Sequence, residues 1–161
     1  MPEVSAYVAI GSNLGDSCRT VAEAIAQLQR LPQTRFRKAS SLYRTAPVGF
    51  LEQPDFINAV VALDTLLSPF ELFAALQEIE ANHGRIRSIP NAPRTLDLDL
   101  LLYGNEEIKT PSLTLPHPRL HLRAFVVTPL AEIAPAQLRI PGRGMLEAWL
   151  PAVAGQRITR L

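Results

Sequence analysis

The chain has 161 residues, 47% of them apolar, with 16 basic against 15 acidic side chains and a net charge of +1. That length favours a single domain over 1–161 with a sizeable core, and near-neutrality excludes a global field that would gather nucleic acid or anionic membrane. A lone cysteine, Cys18, excludes an internal disulfide and suits a cytoplasmic setting; the start MPEVSAYVAIGSN shows no secretory pattern, and no run approaches the ~20 apolar residues of a membrane span.

Val4 to Ile10 reads as a strand, and Val21, Ile25 and Leu28 then recur at helical spacing. Between them GSNLGD, Gly11 to Asp16, lacks the spacing of a glycine-rich phosphate loop and has no lysine-serine/threonine pair, so it reads as a structural turn. Arg35 to Tyr43 is a weaker strand, whereas Phe56 to Leu63 is a strong one. The connection RTAPVGFLEQPD, Arg44 to Asp55, is long, and connections of about 12 residues are more often functional than short ones. It delivers Phe56 and Asn58 to one face of the next strand, where a flat heteroaromatic ring can stack on the phenylalanine and bond the amide. A lone phenylalanine is more often core; an asparagine in an apolar strand needs partners.

Ser68-Pro69-Phe70-Glu71 has the capping-box spacing with proline at the first helical position. Leu72, Leu76 and Ile79 supply that helix's apolar stripe, and Gly84 is placed to stop it. The next strand, PRTLDLDLLLYG from Pro93 to Gly104, contains two aspartates. Side chains alternate along a strand, so Asp97 and Asp99 share one side with Cα atoms ~6.5–7 Å apart, and Leu96, Leu98 and Leu100 share the other. This assigns the leucines to the core and the aspartates to the outside. Carboxylates at that spacing suit Mg²⁺ together with substrate phosphates; on equal terms they read as surface charges that blunt a sheet edge. Arg85, Arg87 and Arg94 before the strand, and His117, Arg119, His121 and Arg123 after it, bracket the pair with positive charge. That favours a metal-nucleotide site, in which guanidiniums hold phosphate oxygens. A proline-broken stretch to Arg123, an apolar segment from Ala124 to Pro135 and a short tail complete the chain. The tail shows no chemistry, and Trp149 reads as packing on the body.

The order β-α-β-β-α-β over residues 4–103 is that of an α+β, ferredoxin-like sandwich: an antiparallel sheet with two helices on one face, here with C-terminal additions. That architecture hosts many activities, so function rests on the site.

The segments AIGSNLGD, LYRTAPVG, QPDFINAVVAL, GR-R at Gly84 to Arg87, PRTLDLDLLLYGN and LPHPRLHLRAFVVTPLAEIAP follow one another between about Ala6 and Pro135. In this ordered set the chain resembles the 6-hydroxymethyl-7,8-dihydropterin pyrophosphokinase family of folate biosynthesis. The resemblance implies a ferredoxin-like core and transfer of the diphosphoryl group of ATP to the pterin hydroxymethyl group, releasing AMP. It implies that Asp97 and Asp99 hold two Mg²⁺ ions and, with Arg85 and Arg94, form the catalytic set. Arg85, Arg94, His117 and Arg123 would contact the triphosphate, with Gln77, Arg87 and Leu100 elsewhere around the nucleotide. Phe56 and Phe125 would sandwich the pterin, Asn58 would bond its polar edge, and Thr45, Ala46 and Val48 would contribute through backbone and loop contacts. The substrates implied are small molecules; the chain's size and complete core are compatible with a monomer, and its near-neutral charge points to no nucleic-acid or membrane partner. The chain departs from common members in a shorter 84–94 connection, in Asn91 where some carry tryptophan, in Pro118 where some carry an aromatic, and in Phe56 where tyrosine also occurs. The connections 44–55 and 84–94 are expected to close over ATP.

Three alternatives stay open on residue types alone. One is a non-catalytic binding module. Another is a sheet-face nucleic-acid binder, against which the charge and the lack of an aromatic-rich strand motif count. The third is a kinase releasing ADP.

Overall fold

The structure is a computed structural model that describes residues 2–46, 53–83 and 96–161. Strand β1 (Val4–Ser12) leads into helix α1 (Ser17–Leu28), whose first turn is capped by Asp16 accepting from the Arg19 N–H at 3.2 Å. The region read as one weak strand, 35–43, is two: β2 (Thr34–Ala39) and β3 (Tyr43–Thr45). Both pair with β4 (Phe56–Thr65), and the break between them has a local cause. The Ser41 N–H and hydroxyl donate to the Glu132 carboxylate, at 3.1 and 2.9 Å, instead of continuing the ladder.

Helix α2 (Pro69–Asn82) begins where its capping box predicts. The Ser68 hydroxyl accepts from the Glu71 N–H at 3.1 Å, and the Glu71 carboxylate accepts from the Ser68 N–H at 2.9 Å. Its C-cap is His83; Gly84 lies outside the described residues. Strand β5 (Asp97–Tyr103) follows, then a small hairpin of β6 (Ile108–Lys109) and β7 (Thr114–Leu115). A 3-10 turn at Leu120–Leu122 enters α3 (Ala124–Ile133). The chain closes with β8 (Arg139–Ile140), β9 (Gly144–Met145), α4 (Leu150–Val153) and β10 (Ile158–Arg160).

The main sheet runs β10-β3-β4-β1-β5, with β2 beside β3 on the same flank of β4, and its pairings are antiparallel. One face, carrying Val8, Ile10, Val61, Leu63, Leu98 and Leu100, packs on Val21 and Leu28 of α1 and Leu72 and Leu76 of α2. The expected pair of helices on one face is therefore present. The opposite face is covered too: Tyr7, Val60, Ala62, Leu101 and Leu102 pack on Val126, Val127 and Leu130 of α3, with Leu146 and Val153 beyond. Burial of every residue from Ile57 to Leu63 in β4 follows from this, since a strand covered on both sides is apolar throughout rather than alternating.

A bulge in β5 decides which side its residues face. Tyr7 pairs with Leu102 and Val8 with Leu100, so Leu101 is the extra residue, and Leu101 and Leu102 both reach the α3 layer. By alternation Asp97 and Asp99 share the side of Leu101. The outward assignment of the aspartates is thus corrected: they belong to the face that α3 covers.

Candidate active site

Strand register assembles the site. Thr45 pairs with Phe56, Asn58 lies between Tyr43 and Gly11, Gly11 pairs with Asp97, and Ala9 pairs with Asp99. These residues share the α3 face by alternation. Over Ala9 to Gly11 of β1 the sheet lines a cavity. Its floor and one wall are Ala9, Gly11, Thr45, Phe56, Asn58, Asp97 and Asp99; Arg123 and Phe125, at the start of α3, form the other wall. Of the residues expected at a pterin site, Thr45, Phe56, Asn58 and Phe125 are brought together here, beside both aspartates. The Asp97 and Asp99 side chains are half-buried in the cavity wall. The Arg123 guanidinium lies over the Phe125 ring, 5.3 Å from its centroid, an arrangement in which the ring quadrupole attracts the cation.

Asn58 is 5% exposed, and its amide donates to the Thr45 hydroxyl at 2.7 Å. That satisfies part of the demand a buried amide makes. Its Oδ1 lies over Gly11, where a Cβ would sit 3.1 Å from that oxygen and 4.0 Å from Cδ1 of Phe56. Gly11 is therefore part of the floor, not only of a turn as the sequence reading has it. The signal was the pair of small residues, Ala9 and Gly11, on one face of β1. Next to it, buried Asn13 donates to the Gln53 side chain at 2.7 Å and to the Pro54 carbonyl at 3.0 Å, which ties the approach to Phe56 against the β1–α1 turn.

A second cavity lies across Asp99 from the first and shares that residue. Phe73 of α2, Leu100, His117 and Pro118 line it together with Pro111, Ser112, Leu113 and Thr114 of the β6–β7 hairpin. Leu100 and His117, both expected around the nucleotide, line it together; the hairpin, which carries no charged or aromatic motif, has no counterpart in the sequence reading. Burial first, and then the Arg123 charge, push the His117 pKa down to about 4 against the opposing pull of Asp97. The Arg119 N–H donates to its Nδ1 at 3.2 Å. A neutral imidazole with Nδ1 accepting carries its proton on Nε2, as a donor.

Glu80, 2% exposed on α2, accepts the Leu98 N–H at 2.7 Å. It thereby grips the edge strand between the two aspartates. Gln77 is exposed one turn beyond Phe73 and lines neither cavity; Ala46 is exposed at the end of β3. Val48, Arg85, Arg87 and Arg94 lie outside the described residues, as do 47–52 and 84–95 of the two long connections. Among the described residues, no three or more His, Cys, Asp or Glu side chains gather to hold a metal. No described helix is long and apolar enough to cross a membrane.

Residues 7–135 match the 7,8-dihydro-6-hydroxymethylpterin-pyrophosphokinase (HPPK) family. The chain is similar to the 2-amino-4-hydroxy-6-hydroxymethyldihydropteridine pyrophosphokinase of Pseudomonas aeruginosa, 45% identical over 155 residues that span 96% of this chain and 95% of the relative. The Bacillus subtilis enzyme of the same name is 46% identical over 128 residues, 80% of this chain and 77% of the relative. In fold, the chain is similar to a crystal structure of HPPK-DHPS in complex with substrates, with a TM-score of 0.73 at 13% identity over 94% of this chain. It spans 43% of that longer protein.

Proposed function

We propose an assignment of the two cavities that starts from one fact: the chain belongs to the 7,8-dihydro-6-hydroxymethylpterin-pyrophosphokinase family. It is an ATP-dependent diphosphotransferase that moves the diphosphoryl group of ATP to the hydroxymethyl group of 6-hydroxymethyl-7,8-dihydropterin, in folate synthesis. In our reading the pterin occupies the first cavity. Phe56 and Phe125 flank its ring, Asn58 and Thr45 meet its polar edge, and Ala46 and Val48 complete the rim. The nucleotide enters the second cavity, its adenosine against Leu100, Thr114 and Pro118. Its triphosphate runs toward Arg123, His117 and the aspartates, with Gln77, Arg85, Arg87 and Arg94 completing the surround. The observation that carries this reading is the shared wall: Asp99 lines both cavities, so a phosphorus held beside it lies between the two substrates.

The donor set fits Mg²⁺. Asp97 and Asp99 offer hard oxygens from one face at the junction of the cavities, and Mg²⁺ takes one or two carboxylates with the rest of its shell from phosphate and water. Two Mg²⁺ ions held by this pair would neutralise triphosphate charge and orient the group being transferred. The chain's own residues do the rest. His117 presents a neutral Nε2–H donor, and Arg123 presents a permanent charge braced on Phe125, both directed at charge that grows on phosphate oxygens. The walls of the first cavity aim the hydroxymethyl oxygen at the β-phosphorus, so that positioning supplies much of the rate. The new oxygen–phosphorus bond forms as the bond from the β-phosphorus to the α–β bridging oxygen breaks; AMP keeps that oxygen, and the hydroxyl proton is released.

The sheet order, taken with β2 and β3 as one interrupted strand, supports a ferredoxin-like βαββαβ core inside a single domain, 1–161. We read the protein as a cytoplasmic monomer acting on small molecules. The test is a ³¹P NMR assay with ATP, Mg²⁺ and the pterin, on the wild type and Asp97→Ala. AMP and the pterin diphosphate are expected, and the variant should lose both. ADP would point to a different transfer at the same site, and absence of product would overturn the assignment.

A further inference from the structure

Helix α3 starts without a cap of its own. The residue at its N-cap is Arg123, in an extended conformation and making no side-chain cap bond. The first N–H groups of a helix lack intrahelical acceptors, and Ser, Thr, Asp or Asn usually fills this position to supply one. Here the position carries the guanidinium that lines the first cavity. The missing acceptor comes from the C-terminal segment: Oε1 of Gln156 accepts the Ala124 N–H at 2.8 Å, and Nε2 of the same amide donates to the Leu122 carbonyl at 2.8 Å. A single side chain thus holds the backbone on both sides of Arg123. Two residues later the chain enters β10, where Ile158 pairs with Thr45. Residues 156–160 therefore connect the Arg123–Phe125 wall of the cavity to the Thr45 wall. This segment lies beyond the 7–135 match.

We propose that Gln156 is a positioning residue for the acceptor substrate, setting the spacing of the two walls through its bonds to Leu122 and Ala124. The inference rests on the assignment of the pterin to the first cavity. It is tested by kinetics of Gln156→Met and Gln156→Glu, with 6-hydroxymethyl-7,8-dihydropterin varied at saturating ATP and Mg²⁺, alongside thermal unfolding and amide exchange at Ala124. Methionine keeps the volume and removes both bonds; KM for the pterin should rise about tenfold with kcat changed less than about twofold, the pattern of lost ground-state binding. Glutamate keeps an acceptor for the Ala124 N–H but loses the donor and sets a carboxylate against the Leu122 carbonyl, so it should recover only part of the loss. A lowered kcat at unchanged KM, with a lower Tm, would mean structural support alone and would overturn the proposal. Absence of AMP formation by the wild type would overturn the site assignment and this inference with it, whereas an active wild type with an indifferent Gln156→Met overturns this inference alone.

Discussion

Replacing Gly11 by alanine tests the floor of the acceptor cavity with one methyl group. The backbone is not the obstacle, because Gly11 is not among the glycines with positive φ. The obstacle is Asn58 Oδ1, 3.1 Å from the new Cβ, which is a few tenths of an ångström inside comfortable contact. Asn58 cannot easily yield: it is buried, and its amide is tied to Thr45 at 2.7 Å. Relief by moving the amide strains a hydrogen bond worth about 1 kcal/mol. Relief by parting β1 from β4 is overpacking of the kind that costs about 1–3 kcal/mol. If either adjustment is made at the expense of the pterin, its affinity should fall by about 1–3 kcal/mol, or about 5- to 150-fold. KM for ATP should stay put, since Gly11 does not line the second cavity. Calorimetric titration of the pterin and steady-state kinetics with each substrate varied would read this, with a thermal melt to confirm folding. Pterin affinity within about twofold of wild type in a folded Gly11→Ala protein would refute the placement of the ring over this floor.

Three further outcomes follow from named contacts. Asp99→Asn keeps the shape of the wall shared by both cavities and removes its charge, so kcat should fall about 10²–10³-fold, the size typical of losing one preorganised electrostatic contact, with Tm unchanged; a variant retaining most of its turnover would sink the role. Glu80→Ala leaves the Leu98 N–H without its acceptor at 2.7 Å and should cost about 1–3 kcal/mol in urea unfolding, whereas Glu80→Gln, which retains an acceptor, should cost less; equal losses would show that the carboxylate acts in another way. His117 has its pKa lowered from 6.5 to about 4 by burial and Arg123, so between those values the unfolded chain binds a proton that the folded chain refuses. Its contribution, on the order of 3 kcal/mol, is then complete above pH 6.5 and lost as the pH falls toward 4. The Tm of the wild type should drop across that window more steeply than that of His117→Asn, and parallel curves would contradict the assignment.

What was legible in the sequence was local. The capping box at Ser68–Glu71, the side shared by Asp97 and Asp99, and the discomfort of Asn58 in an apolar strand each depend on neighbours within a few residues, and the structure bears out all three. What was not legible depends on what arrives later in the chain. Alternation states which side chains of β5 share a face; it does not state what covers that face. The cover is α3, whose first residue follows Asp99 by 25 positions, and its apolar segment, interrupted by Pro129, announces no amphipathic helix. In the sequence Gly11 reads as part of a turn, because its use is a close approach to Asn58 across a strand pair, which no local pattern encodes. Gln156 has no signature at all, since a glutamine in a short polar tail looks like surface until its amide meets Leu122 and Ala124. The same division explains the site. Strand pairing presents the acids and the amide as a fixed floor, and segments distant in sequence bring the cation and the second aromatic ring over it. A floor without that cover would hold two carboxylates in open solvent, where their attraction for a cation would be screened; under the start of α3 the same pair sits half-buried in the cavity that Arg123 also lines, where a cation placed beside them is felt more strongly.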